Sequence, residues 1–252
     1  MIDIHSHILS GLDDGARTVE DSIAMVRMAA AAGTTDIVAS PHANQEYEFD
    51  PHRVERKISE LQAAVGDTPR IYYGCDLHLT PENIDDALHS AEKYSINHKG
   101  YLLVEFSDIY IPKDAEEIFA SLMRAHMRPI VTHPERNQIL QNRLASLEAW
   151  AAQGVLLQIT AQSFLGRFGR TAKKVAEELM SRGLVHFVAS DAHDVKWRPA
   201  ALDEPYRHVA RNFGDEAASR VFVENPRATL AGVPIPAVPI PIKRRRWYSW
   251  SL

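Results

Sequence analysis

Two histidines two residues apart stand near the start of the chain, in Ile2-Asp3-Ile4-His5-Ser6-His7. Apolar Ile2 and Ile4 alternate with Asp3 and His5, the period of a strand, so His5 and His7 face one way and can share a metal ion. Asp14 follows in a loop ended by Gly15 and offers a hard oxygen donor; its neighbour Asp13 suits a cap or an Asx turn instead. Similar side chains recur along the chain: His42, Asp76, Glu105, His133, Asp191 and His193. Imidazole and carboxylate without thiol suit zinc, manganese or iron rather than a cysteine-built structural site. Nine such residues are too many for one ion and enough for two or three ions bridged by a carboxylate. Closely spaced ions generate a hydroxide nucleophile and clamp the oxygens of a transferring phosphoryl group. Arg136 and Arg198 can hold phosphate oxygens bidentately.

These residues need elements that bring them to one place. After the first strand, Thr18 and Asp21 form a helix-start signal before an apolar stripe ending at Gly33. Strands are expected at 36–40, 71–76, 101–106, 129–133, 155–160 and 184–191. The run at 101–106 is almost continuously apolar, as in a strand buried on both faces of a parallel sheet. Helices are expected after Pro51 to Gly66, from about Lys113 to His126, over Leu144 to Ala152, from about Thr171 to Arg182, near Leu202 to Phe213 and over Glu216 to Val223; the stretch from Glu82 to Tyr94 is helical only in pieces. The compact part is expected to close at Asn225-Pro226. Seven strands alternating with helices predict a parallel α/β sheet, and the length suits a closed (β/α) barrel more than an open sheet. In such a barrel the carboxyl ends of the strands share one face, where active sites sit. Six of the seven strands would deliver His or carboxylate residues to that mouth; the sixth contributes only Gln158 and Thr160.

At 252 residues, 45% hydrophobic and 24% charged, the chain has the composition of one ordinary globular domain. A net charge of −5 argues against nucleic-acid binding. The single cysteine, Cys75, allows no internal disulfide and fits a reducing compartment. Nothing resembling a signal peptide precedes the first strand and no apolar run approaches the ~20 residues of a membrane span, so a cytoplasmic protein is expected. Residues 231–252 differ in kind. A Pro-rich linker, Val233 to Pro241, leads into Lys243-Arg244-Arg245-Arg246-Trp247-Tyr248-Ser249-Trp250. This tail is read as a solvated or locally packed end; peripheral membrane contact through its cations and aromatics is the functional alternative.

The motifs Ile2-Asp3-Ile4-His5-Ser6-His7, Asp13-Asp14-Gly15, Ser40-Pro41-His42, Gly74-Cys75-Asp76, Val104-Glu105-Phe106, Thr132-His133-Pro134-Glu135-Arg136 and Ser190-Asp191-Ala192-His193 with Arg198-Pro199 resemble the polymerase and histidinol phosphatase (PHP) superfamily. Within it they are most similar to the CpsB/CapC/YwqE branch of metal-dependent bacterial protein-tyrosine phosphatases, over residues 1 to about 230. The resemblance implies a distorted (β/α)7 TIM-like barrel, the PHP fold, as a single domain over 1–230. It implies three divalent metal ions, manganese above all, with iron or zinc as alternatives. Carried over by position, the first ion would take His5, His7, Asp76 and Asp191; the second Asp76, Glu105 and His133; the third Asp14, His42 and His193. Arg136 and Arg198 would match the phosphate-binding arginines. The implied partner is a bacterial tyrosine kinase of capsule or exopolysaccharide synthesis with a phosphorylated tyrosine-rich tail; oligomeric state stays open. One departure stands out: the family usually has Glu where this chain has Asp76, and one methylene fewer shortens the reach by roughly 1.5 Å.

Competing readings are a small-molecule phosphomonoesterase of the histidinol-phosphatase kind, and a metal-stabilised regulatory module without turnover. The other seven histidines, His52, His78, His89, His98, His126, His186 and His208, are assigned to surface or packing, with His78 the first exception to consider because it follows Asp76. Cys75 does not begin the Cys-x5-Arg signature of cysteine phosphatases, since Pro81 stands six residues on, and it reads as a small buried strand residue.

Overall fold

Nine short strands, all in parallel pairs, form the frame of the computed structural model, which describes residues 1–235. They are β1 (Ile2–Ser6), β2 (Asp36–Ala39), β3 (His42–Ala43), β4 (Arg70–Tyr73), β5 (Asp76–His78), β6 (Tyr101–Glu105), β7 (Arg128–Thr132), β8 (Leu156–Thr160) and β9 (Phe187–Ala189). One sheet has the order β1-β2-β4 and the other β3-β5-β6-β7-β8-β9. The expected strands at 36–40 and 71–76 thus carry further pairing past a break. Pro41 interrupts the first because it lacks an N–H for the ladder. Gly74-Cys75 interrupts the second, where the backbone crosses so near Val38 that a Cβ on Gly74 would lie 2.5 Å from its Cγ1. Backbone bonds also tie the first strand to the last: Asp191 N–H donates to His5 C=O and His7 N–H to Ala192 C=O, both at 2.8 Å.

The connecting helices are α1 (Val19–Ala31), α2 (Pro51–Val65), α3 (Pro81–His89), α4 (Ala115–Arg124), α5 (Leu144–Ala152), α6 (Ala161–Phe164), α7 (Gly169–Ser181), α8 (Asp203–Phe213), α9 (Asp215–Ser219) and α10 (Asn225–Ala231). Local chemistry sets their starts. Thr18 and Asp21 form a reciprocal capping box on α1, each side chain accepting from the other's backbone N–H at 3.1 Å. Asp50 caps α2, with Pro51 in the first turn. Two expectations are corrected. The seventh strand begins at Phe187 rather than Leu184, and the compact part does not close at Asn225-Pro226. There Pro226 follows a single π-helical turn, Arg220–Glu224, that continues from α9, and the helix runs on to Ala231. The Pro-rich and basic tail beyond residue 235 lies outside the described residues.

Strand periodicity divides the interior. Leu77, Val104, Val131 and Val188 join the large core that packs against the helices. Leu103, Ile130, Leu156 and Phe187 point the other way, into a smaller cluster with Ile2, Ile4, Tyr101 and Leu230. Two residues further along three of those strands stand Glu105, Thr132 and Gln158. The same face is therefore apolar toward the strand starts and polar toward their carboxyl ends. The chain is a mixed α/β fold with parallel sheets, and its polar end is where the predicted ligands collect.

Candidate metal centre

The nine residues singled out as ligands come together at the carboxyl ends of the strands, with His5, His7, Asp76, His133, Asp191 and His193 buried. His5 Nε2 lies 3.2 Å from His7 Nε2, and 3.4 Å from both Asp76 Oδ2 and Asp191 Oδ1. Asp14 Oδ1 sits 3.2 Å from His193 Nε2 and 3.4 Å from His42 Nε2. The other His42 nitrogen, Nδ1, is 3.3 Å from Asp76 Oδ2 and 3.4 Å from Glu105 Oε2. Glu105 Oε1 meets His133 Nε2 at 3.4 Å. Adjacent ligand atoms on an ion with bonds of about 2.0–2.2 Å are separated by about 3 to 3.5 Å, so these spacings suit shared ions.

Four overlapping groups have ligand atoms all within 4.8 Å of one another: His7, Asp14, His42 and His193; His42, Asp76, His78 and Glu105; His5, His7 and Asp76; and His5, His133 and Asp191. The partition differs from the one the resemblance implies, and His42 is shared between two groups. His7 also reaches the Asp14 group, His133 groups with His5 and Asp191, and His78 joins Glu105.

Three rings have their lone pairs aimed inward by partners behind them. His7 Nδ1 donates to Asp13 Oδ2 at 2.7 Å, His5 Nδ1 to Gln158 Oε1 at 3.1 Å, and His193 Nδ1 to the Asp191 carbonyl at 3.0 Å. When these rings are neutral, as metal ligands must be, each bond leaves Nε2 as the acceptor. The His5 and His7 lone pairs then face each other across 3.2 Å, and that of His193 faces a carboxylate. Such an array of acceptors is repulsive without a cation among them. Both Asp76 oxygens are buried and accept no hydrogen bond, as befits a carboxylate placed for metal rather than for protein donors. The residues present fit divalent metal.

Electrostatics points the same way. Burial disfavours a charged His5, yet Asp76 and Asp191 outweigh it and raise its pKa to about 9. Burial likewise opposes charge on His42, but Asp14, Asp76 and Glu105 lift it to about 11. The carboxylates demand positive charge here, and protons answer in the absence of another cation. Burial lowers His193 to about 4, and burial with Arg136 holds His133 well below the usual imidazole range. Both remain neutral, as ligands must.

The backbone pays in strain for two of these positions. His133 and Asp191, at the ends of β7 and β9, have φ of 33° and 51°. For non-glycine residues such conformations cost on the order of 1 kcal/mol each and persist where surrounding structure imposes them. The loop carrying Asp13 and Asp14 is held as tightly. Ala16 N–H donates to His7 C=O at 3.0 Å, and Gly15 passes so close that a Cβ on it would lie 2.1 Å from that oxygen. Asp13 binds the loop together, accepting from His7 Nδ1, from Gly15 N–H at 3.0 Å and from His42 N–H at 3.1 Å.

Arg136 and Arg198 both pair with Asp191 Oδ2. The Arg136 guanidinium also lies 4.3 Å from the Phe168 ring centroid, a cation–π contact. Arg198 Nε is buried without a hydrogen bond. Beside Asp14 and His193 a cavity of about 400 Å³ opens, lined by Arg17, Lys196 and Trp197 among others. The Trp197 side chain stands 81% exposed at its edge.

Asp13, Gln158 and Glu135 support the site in ways the spacing of ligands did not reveal. Glu135 Oε1 accepts from Thr160 N–H at 3.0 Å and from Ser163 Oγ at 2.6 Å, fixing the turn after β7 to that after β8. Burial raises its pKa to about 7. Its place between His133 and Arg136 was the one available signal. Cys75 is fully buried in the large core, and burial pushes its thiol pKa well up.

Comparison with known proteins adds an independent line. The family described as "Capsular polysaccharide synthesis, CpsB/CapC" matches residues 1–231. The chain is 34% identical over 255 residues to the tyrosine-protein phosphatase YwqE of Bacillus subtilis (strain 168), covering 99% of this chain and 100% of that protein. It is 32% identical over 259 residues to the putative tyrosine-protein phosphatase CapC of Staphylococcus aureus, covering 99% of each. A crystal structure from work on YwqE of Bacillus subtilis and CpsB of Streptococcus pneumoniae, "unique metal-dependent tyrosine phosphatases", superposes with a TM-score of 0.88 at 33% identity. That match covers 98% of this chain and 100% of the other.

Proposed function

This chain belongs to the CpsB/CapC family, and from that premise we propose that it is a metal-dependent protein-tyrosine phosphatase acting on a tyrosine kinase of capsular or exopolysaccharide synthesis. The observation that carries the metal part is the pair of imidazole nitrogens, His5 Nε2 and His7 Nε2, 3.2 Å apart and flanked by Asp76 and Asp191. We read the seven strand positions, with β2 continued by β3 and β4 by β5, as a distorted (β/α)7 barrel spanning residues 1–230. His5, His7, Asp76, His133 and Asp191 would hold ions in the buried part, Glu105 would bridge outward, and Asp14, His42 and His193 would hold the outermost of three. Manganese is the metal that the family resemblance implies, and a thiol-free set of carboxylates and imidazoles is compatible with it, as with iron or zinc. When bound, the ions supply Lewis acidity and lower the pKa of water at the phosphate.

The remaining work falls to this chain's own side chains. Asp13, Gln158 and the Asp191 carbonyl set the tautomers of His7, His5 and His193. Arg136 and Arg198 each spend part of their donor set on Asp191 and keep the rest for phosphoryl oxygens, where charge builds in the transition state. The cavity beside Asp14 and His193 gives the tyrosyl side chain and its flanking peptide room, with the Trp197 ring at its rim. A tyrosine phenolate, with a pKa near ~10, leaves with less proton donation than a serine alkoxide would need.

The deciding experiment compares phosphate release from a tyrosine-rich phosphopeptide and from histidinol phosphate, before chelation, after chelation and after Mn2+ is restored. Peptide hydrolysis that is lost on chelation and returns with Mn2+ is expected. Full activity without metal would sink the metal mechanism; preference for histidinol phosphate would replace the substrate class.

A further inference from the structure

We propose that His78 is a metal ligand, completing the ion site built on Asp76 and Glu105; this rests on the reading of the centre as a divalent-metal site. Sequence position suggested packing, and strand register says otherwise. On β5, Asp76 and His78 are two residues apart and share a face, with Leu77 turned to the large core between them. The pairing of β5 with β6 sets His78 directly beside Glu105, and that of β3 with β5 sets His42 beside Asp76. Four potential ligands thus meet on one patch of sheet, their donor atoms all within 4.8 Å of one another.

The atoms in that patch are unsatisfied in a particular way. His42 Nδ1, both Asp76 oxygens, His78 Nε2 and Glu105 Oε2 are all buried, and none makes a hydrogen bond. His78 Nε2 stands 2.6 Å from Glu105 Oε2, in contact but out of line for an N–H···O bond. Held in contact without a hydrogen bond, the imidazole and the carboxylate are placed to share a cation.

Nitrogen bookkeeping selects His78. A neutral imidazole has one lone pair. His42 Nε2 is placed with Asp14, His7 and His193, so a lone pair used there leaves Nδ1 with the proton, as a donor to Asp76 or Glu105. His133, although 3.4 Å from Glu105 Oε1, has its ligand atom grouped with those of His5 and Asp191. The imidazole free to face Asp76 and Glu105 is that of His78. Its side chain is 26% exposed, so the ion there would be open to exchange from solution.

The test uses the full chain, Mn2+ and two variants. His78→Gln keeps a hydrogen-bonding side chain of similar reach but is a poor ligand; His78→Ala removes both functions. Bound Mn2+ per chain is measured by plasma mass spectrometry after equilibration across a series of buffered free Mn2+ concentrations, with circular dichroism as the check on folding. Both variants are expected to hold one Mn2+ fewer than wild type at intermediate concentrations, and to need at least tenfold more free Mn2+ to recover it. Wild-type Mn2+ content in His78→Gln across the series overturns the proposal, whatever His78→Ala does, because a hydrogen-bond role then suffices. If His78→Ala does not fold, His78→Gln alone decides. Wild-type protein that binds no Mn2+ at any concentration overturns the metal reading itself.

Discussion

Asp13→Asn removes one charge and one acceptor while keeping the shape of the side chain. In the native loop Asp13 Oδ2 accepts from His7 Nδ1 and His42 N–H, and Oδ1 accepts from Gly15 N–H. An asparagine has one oxygen. If that oxygen serves His7 and His42, its NH2 group faces the Gly15 N–H, donor against donor. If it serves Gly15, the NH2 faces His7 Nδ1 and favours the tautomer with the proton on Nε2, where the lone pair must be. Either way one buried partner is lost, at about 1–3 kcal/mol. That agrees with the about 10- to 100-fold loss in metal affinity that follows removal of the group behind a ligating imidazole. Because His7 lies in two of the ligand groups, the loss is expected in more than one ion. Mn2+ titration by calorimetry at pH 7, with phosphopeptide hydrolysis alongside at each metal concentration, reads it directly. Activity should return toward wild type as Mn2+ is raised. Unchanged Mn2+ affinity would refute the claim that Asp13 sets the His7 tautomer.

Three further outcomes are expected. Gly15→Ala drives a methyl group to 2.1 Å from the His7 carbonyl oxygen; an overpacking cost of about 3 kcal/mol predicts a fall in Tm on the order of 10 °C by calorimetry, and an unchanged Tm would mean the loop can lift off His7. Arg198→Ala should lower kcat/KM for p-nitrophenyl phosphate by about 10- to 150-fold, the worth of a charged hydrogen bond of about 1.5–3 kcal/mol, with Mn2+ content kept; equal loss of metal would make it a support for Asp191 instead. Burial raises Glu135 from 4.5 to about 7 in the folded protein, so between those values the folded state holds a proton the unfolded state has released, and stability falls as pH rises through this window. The metal-free protein should therefore lose up to about 3 kcal/mol relative to Glu135→Gln between pH 4.5 and pH 7 in urea unfolding, and parallel stability curves would contradict it.

The parts of this molecule that sequence makes legible are those set by period. Alternation on β1 and the apolar run of β6 give strands and faces directly, and polar residues just past each strand mark a common end. The breaks at Pro41 and Gly74-Cys75 were less legible, because the chain resumes pairing in the other sheet and only the ring of neighbours shows that. Pro226 read as a stop because the π-helical turn that precedes it, and carries the helix past it, has no signature in the spacing of residues. Ligand grouping was the least accessible layer. Spacing along the chain says that His78 follows Asp76; register says that it lies against Glu105. Asp13 and Glu135 serve through hydrogen bonds to other residues, and nothing in their spacing separates that from solvated acids.

The bonds between the first strand and the last have a consequence in time. Asp3 Oδ1 accepts from Ser190 N–H, a contact spanning 187 residues, and Asp191 N–H reaches back to His5. At translation rates of about 5–20 residues per second, some 10 to 40 s separate the synthesis of those two ends. Throughout that interval β1 has one lateral edge without its eventual neighbour, and the His5 and His7 pair lacks the carboxylate of Asp191. The chemistry proposed for this chain is thus withheld from the growing polypeptide: the first-made residues of the centre wait for the last of its ligands, and the arrival of Asp191 and His193 completes the set.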